Sequence, residues 1–345
     1  MNDPKGHRAT SPWKMPKAAW KDILKRTYTR IWDDNIGIVA AGVAFYGFFA
    51  LLSLLGLIVL IYGVFTDRST VIEHVHVLTA VLPSDVAMII GDQLLTSVQA
   101  SEGVKGLGIL IAFLIAVYGG TNGAAAILTA LNIAYEEKEK RSLVRYYLVA
   151  ITMTLSAVVL ALCAISATAA VAFLQDILPK ATTGALIAGK IVGYVALVLV
   201  AAAVAATLYR FGPAREKAQW SWITPGSLFA ALTWMVLTSV FGTYVAQANF
   251  DKSYGSLGAV VALMTWLYLS AYAFLFGAEL NSEIEHQTAH DSTTGEAEPL
   301  GERGAWAADN VAYGADVQDR PEEAREGARL TAASPTVADA AERKA

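Results

Sequence analysis

The sequence predicts an all-α polytopic membrane protein with six transmembrane helices, both termini in the cytoplasm, and amphipathic helices on the external side. Three observations predict it. Hydrophobic residues make up 55% of the 345 residues and charged residues 16%, well under the roughly 25% charged of soluble domains. Six apolar segments reach the ~20 residues that a helix needs to cross a hydrocarbon core of about 30 Å. Lys and Arg alternate across these segments, fifteen on one side and four on the other, which by the positive-inside rule orients the chain.

The N-terminal stretch 1–35 is polar and basic and lacks the short apolar core of a cleaved signal peptide. Within it Trp20, Ile23, Leu24, Thr27 and Ile31 share one helical face while Lys17, Lys21 and Lys25 lie elsewhere. That pattern fits an interfacial helix on an anionic leaflet, or a plain basic flank that fixes topology. The membrane domain spans 36–281. Its apolar segments run from Ile36 to Val64, Gly106 to Ala134, Val144 to Leu174, Ala185 to Tyr209, Ile223 to Ala246 and Leu257 to Leu280. A β-barrel would show short alternating stretches instead, so the spans are helices.

The external connection, 65–105, is the longest. It carries Val71, Val75, Leu78 and Leu82, then Ser84 as a helix cap ahead of Val86, Ile90 and Leu94, the pattern of two amphipathic helices. The tail, 282–345, holds 14 acidic and 6 basic residues and few large apolar ones. It is expected to be a disordered acidic cytoplasmic segment. The lone cysteine, Cys163, lies in an apolar run and excludes a disulfide framework.

The residues from Pro225 to Glu285 carry Tyr254-Gly255-Ser256-Leu257-Gly258, Trp266-Leu267-Tyr268 and Gly277-Ala278-Glu279-Leu280-Asn281. Upstream lie Ala44-Phe45-Tyr46, Leu82-Pro83 and Ala130-Leu131-Asn132-Ile133-Ala134-Tyr135, followed by Arg141. In order and spacing this set, from about Asp33 to Glu285, resembles the YihY / virulence factor BrkB family, once mislabelled ribonuclease BN. One departure is Ala50-Leu51-Leu52-Ser53, where the family often has a proline, so no kink is expected there. The resemblance implies a six-span bacterial inner-membrane protein, for which envelope-lipid or small-solute transport has been proposed.

The second and sixth segments share a Leu-Asn end, Leu131-Asn132 and Leu280-Asn281, each with a Glu four residues beyond the Asn, at Glu136 and Glu285. A distant parallel repeat or a chance match accounts for it. The stretch Tyr118-Gly119-Gly120-Thr121-Asn122-Gly123 at the middle of the second span has two readings. A broken helix would line a polar substrate cavity; alternatively Gly119 and Gly123 form a close-packing face with Asn122 bonded across it. Gly189 and Gly193 repeat the packing spacing, and Lys190 between them is expected to snorkel. Glu279 is either an ion-pair partner of Arg141 or Arg145, or a coupling carboxylate.

His74 and His76 are two apart and fall on different helix faces, so a metal site there is not expected. The absence of a Gly-x-x-x-x-Gly-Lys loop or a carboxylate cluster speaks against nucleotide hydrolysis, enzymatic chemistry and a nucleic-acid partner. No cofactor is expected. The leading expectation is a transporter or lipid/amphiphile translocase, with Tyr46, Tyr118, Thr121, Asn122, Trp234, Trp266 and Tyr272 lining the cavity and membrane lipids or a small molecule as ligand. The alternative is a non-transporting membrane scaffold for envelope machinery.

Overall fold

The computed structural model describes residues 3–65, 105–157, 159, 183–247 and 257–313. These residues fold as helices with no strand among them; one isolated bridge pairs Ala218 with Thr293. A short 3-10 turn (Pro12–Lys14) leads into α1 (Lys17–Asp33), followed by α2 (Ile36–Phe65), α3 (Lys105–Ala134) and α4 (Leu143–Ala157). Then come α5 (Thr183–Phe211), α6 (Trp220–Gln247), α7 (Gly258–His286) and the single turn α8 (Trp306–Asp309).

Five of these, α2, α3, α5, α6 and α7, are long and apolar enough to cross a membrane. The chain is thus an all-helical membrane protein with five spanning-type helices among the described residues, against the six expected. The remaining expected span, Val144 to Leu174, is described only over α4 and Val159; the rest of it lies outside the described residues. So do residues 66–104, which carry the expected external helices, the Ser84 cap and His74 and His76.

In space the helices succeed one another as α4, α3, α2, α7, α6 and α5. Large apolar side chains point outward along them, among them Ile38, Phe45 and Phe49 on α2 and Val192, Val195 and Leu199 on α5. In water such a surface would be a large exposed patch; against hydrocarbon it is the natural outside of the bundle. The inward faces are built from small residues instead. Ala40, Ala130, Ala134, Ala205, Ala230 and Ala278 are buried together, which lets backbones approach closely.

Polar residues gather at one end, where residues 3–33, 135–142, 212–219 and 287–313 meet. Helix α1 buries Ala19, Ile23, Thr27 and Ile31, spaced one turn apart, against the protein. The face expected to lie on a membrane therefore divides: Ile23, Thr27 and Ile31 face the bundle, while Leu24 is exposed beside Tyr28 and Trp32. The chain turns from α1 into α2 at Asn35, whose φ of 51° is a left-handed conformation that Asn tolerates.

The acidic tail departs from expectation. Residues 287–313 are folded onto the N-terminal segment: Ala289 N–H donates to His7 C=O at 2.7 Å, Gln287 Nε2 donates to Lys5 C=O at 2.8 Å, and Thr288 Oγ1 donates to Ala9 C=O at 2.8 Å. Arg303 is buried, with Nη1 donating to Ala308 C=O and Nη2 to Ala289 C=O. A count of large apolar residues misses this because hydrogen bonds to another segment, rather than a hydrophobic core, hold these residues. Residues 314–345 lie outside the described residues.

Candidate functional site

Two places in the bundle combine shape with polar chemistry. The first is a groove of about 370 Å³ between α2 and α3, lined by Val39, Val43, Tyr46, Asn122, Ala126 and Thr129 among others. Helix α3 runs unbroken from Lys105 to Ala134. Its glycines are packing positions: a Cβ on Gly119 would overlap the Ser53 side chain, one on Gly123 would press on Ala50 and the Tyr46 carbonyl, and one on Gly120 would overlap Thr154 of α4. Of the two readings of this stretch, the structure has the packed one. Asn122 is nevertheless not bonded across the interface. It is half-buried and opens into the groove with Tyr46, and its side-chain amide makes no hydrogen bond among the described residues. At 1.5 Å per residue it stands about 18 Å from the polar end of α3, near mid-bilayer.

The other sequence candidates fall elsewhere. Thr121 is buried and its hydroxyl donates to the Val117 carbonyl at 2.6 Å, one turn back on its own helix. Tyr118 is 73% exposed on the outer face of α3. Trp234 and Trp266 meet at the α6–α7 contact with ring centres 6.5 Å apart. Their indoles donate to Ser270 Oγ and Thr238 Oγ1 at 3.1 and 3.3 Å. Tyr272 lies beside Tyr268 on α7, their rings tilted at 46°. The expected single cavity is therefore divided: Tyr46 and Asn122 share the groove, Trp234 and Trp266 belong to the α6–α7 packing, and Tyr272 packs against the alanine-rich core between α7 and α2.

The second place is the polar end, where an ion-pair network lies under a cleft of about 420 Å³ whose lining includes Lys25, Arg26, Arg30, Glu283, His286 and Tyr313. Arg215 and Glu285 form a pair with side chains 1% and 0% exposed, at 3.2 and 2.6 Å. Ser292 Oγ donates to the same carboxylate at 2.6 Å, and the guanidinium lies over the Tyr135 ring. Burial opposes the charge on Arg215, but Glu285 outweighs it and holds the guanidinium's pKa above its usual value. Arg26 pairs with Glu283, and Arg30 joins Glu136 and Glu283 while lying over the Trp306 ring. Glu136 closes α3 in a left-handed conformation, φ 55°.

The matched Leu-Asn ends have related structural uses. Pro225 sits inside α6 and removes a backbone donor. Beside it the Asn281 amide bonds the α6 backbone, accepting from Gly226 N–H at 2.8 Å and donating to the Ile223 carbonyl at 2.9 Å. Asn132 accepts from Ala214 N–H at 2.7 Å and donates to Glu139 at 3.0 Å. Asn132 thus holds the turn from α5 to α6, and Asn281 the first turns of α6. Arg141 is bound to Glu139, whose carboxyl it pulls down to about 2, so it is not the partner expected for Glu279.

Residues 27–301 match the virulence factor BrkB family. The chain belongs to that family. The groove lies within the BrkB match, as do Arg30, Glu136, Arg215, Glu283 and Glu285 of the ion-pair network, while Arg26 lies one residue before it. Among relatives, the chain is 31% identical over 174 residues to the ribonuclease-like protein YfkH of Bacillus subtilis, covering 48% of this chain and 62% of YfkH. It is 25% identical over 279 residues to a UPF0761 membrane protein of Rhodospirillum centenum, covering 79% of this chain and 59% of that one. The chain thus spans about three fifths of the length of these curated relatives. No solved structure matches it. Among the described residues no three His, Cys, Asp or Glu side chains are grouped to hold a metal ion.

Arg26, Arg30, Arg215 and Glu283 are polar residues of the network that sequence reasoning did not single out, and Glu285 entered it only through the matched helix ends. Arg26 and Glu283 are 257 positions apart, and no local spacing announces such a pair. The one legible signal was the recurrence of Leu-Asn with a Glu four residues later.

Proposed function

We propose that this BrkB-family protein is a transporter or translocase for lipids or other amphiphiles of the cell envelope, with the α2–α3 groove as the binding path. The observation that carries the reading is Asn122. A carboxamide near mid-bilayer without a hydrogen-bond partner among the described residues is unfavourable against hydrocarbon alone, and a polar ligand atom would satisfy it. The Tyr46 ring beside it and the apolar walls from Val39 and Val43 suit a molecule that is part polar and part apolar. The polar end is proposed to face the cytoplasm, with both termini there, because fifteen of the nineteen flanking Lys and Arg residues are on that side. A bacterial inner membrane is the matching location.

The test is phospholipid exchange between leaflets in vesicles holding the full chain. Asn122→Ala and Tyr46→Phe are expected to slow it about tenfold, the loss of about 1.4 kcal/mol at the rate-limiting barrier. Rates equal to the parent in both variants would remove the groove from the path. No exchange by the parent chain would favour a scaffold.

A further inference from the structure

Matching the carboxylates of the polar end to their partners leaves two that keep a buried oxygen without one among the described residues. Among the described residues Glu136 pairs with Arg30, Glu137 with Lys140, Glu139 with Arg141, Glu283 with Arg26 and Arg30, and Glu285 with Arg215. Asp34 and Glu279 have no such pair. Glu279 is 2% exposed, its Oε1 is buried with no hydrogen-bond partner, and Asp34 Oδ2 is buried in the same state. The two carboxyl groups face one another, Asp34 from the turn between α1 and α2 and Glu279 from α7. Both are acceptors when ionised, so neither can satisfy the other, and like charges out of water repel.

A proton resolves both difficulties at once. It gives one carboxyl an O–H to donate to the other and cuts the pair's charge from two to one. We propose that Asp34 and Glu279 are a proton-binding site at the junction of α1, α2 and α7, holding one proton between two carboxyl groups.

The surroundings favour the proton. Arg30 of α1 is the nearby cation, and it is already engaged by Glu136 and Glu283. Glu136 and Tyr135 after α3, Asp33 on α1 and Glu283 on α7 are the other titratable groups facing the pair. Burial, then the charge of Glu136, pushes the Asp34 carboxyl above the usual carboxylate range. Releasing the proton sets two like charges between the α1–α2 turn and α7, so proton occupancy and the seating of that turn on α7 are linked. The site goes beyond the transport reading and does not depend on it.

The experiment is an infrared pH titration of the full chain in nanodiscs, following the carbonyl band of protonated carboxylic acid in the parent, Glu279→Gln and Asp34→Asn. The parent is expected to keep a protonated-acid band at pH 7, Glu279→Gln to lose it, and Asp34→Asn to lose it at lower pH than the parent. Thermal unfolding supplies the second readout. A proton held more tightly in the folded than in the unfolded chain makes stability fall as pH rises through the folded pKa. Glu279→Gln, uncharged at every pH, is expected to flatten that fall. A parent without a protonated-acid band at pH 7 overturns the proposal, even if neither variant folds. A band that survives unchanged in Glu279→Gln overturns it as well.

Discussion

The α2–α3 crossing and the polar end are held together by opposite means, and the difference sets what each can do. At the crossing, closeness itself is the interaction: Gly119 and Gly123 bring α3 against Ser53 and Ala50, hydroxyls such as Ser53 and Thr121 bond to their own helices, and Asn122 is left over. In hydrocarbon, burial of apolar surface gives no drive for association, so packing of small residues takes its place. At the polar end, water is nearby and specificity comes from direction: Arg215 on Glu285, Asn281 on the Gly226 N–H, Arg26 on Glu283. The first region spares a polar group for a ligand. The second spends nearly all of its polar groups on structure.

The largest effect should come from breaking the polar end. Arg215→Met strands the buried Glu285 carboxylate and is expected to cost about 3–5 kcal/mol, read as a loss of thermal stability in detergent. Next is the α6–α7 crossing, where a Cβ on Gly277 would meet the Gly226 carbonyl, Ala230 and the Tyr209 hydroxyl. Gly277→Ala is expected to cost about 1–3 kcal/mol by overpacking, and the same unfolding measurement checks it. Asn281→Leu should cost a similar ~1–3 kcal/mol by orphaning the Gly226 N–H and the Ile223 carbonyl, and a smaller cost of the same change in a Pro225→Ala background would show that the amide serves the helix backbone beside the proline.

In contrast, Asn122→Ala should change stability by no more than about 0.5 kcal/mol, since no described bond is lost, while slowing amphiphile exchange. If it destabilises the chain as much as Asn281→Leu, the two regions are not different in kind. The smallest effect is the pH response of the half-exposed Glu139–Arg141 pair. Its carboxyl lies at about 2 when folded against an ordinary 4.5, so its contribution is present above 4.5 and lost as pH falls from there toward 2. Solvent screening keeps it small, and Glu139→Gln should flatten that part of the acid-unfolding curve.

The spanning helices were legible because each is an unbroken apolar run, a property of neighbours in the chain. Of the site, Asn122 and Tyr46 were legible as polar and aromatic groups in such runs, yet nothing in the spacing separated them from Trp234 or Tyr272, which the fold turns to another contact. Glu279 was visible as a charge near a helix end, but of its expected partners Arg141 is taken by Glu139 two residues away and Arg145 makes no ion pair with it among the described residues.

Sequence by itself determined the all-helical membrane class, the basic bias of the connecting segments and the family, because these depend on composition, run length and local order. Only the tertiary structure decided that residues 287–313 fold onto the N-terminal segment, that the Gly-Gly-Thr-Asn-Gly stretch is packed rather than broken, and that Asp34 meets Glu279. Those outcomes turn on which distant groups come within bonding distance, and at that range the sign and satisfaction of each polar atom are set by the fold rather than by its neighbours along the chain.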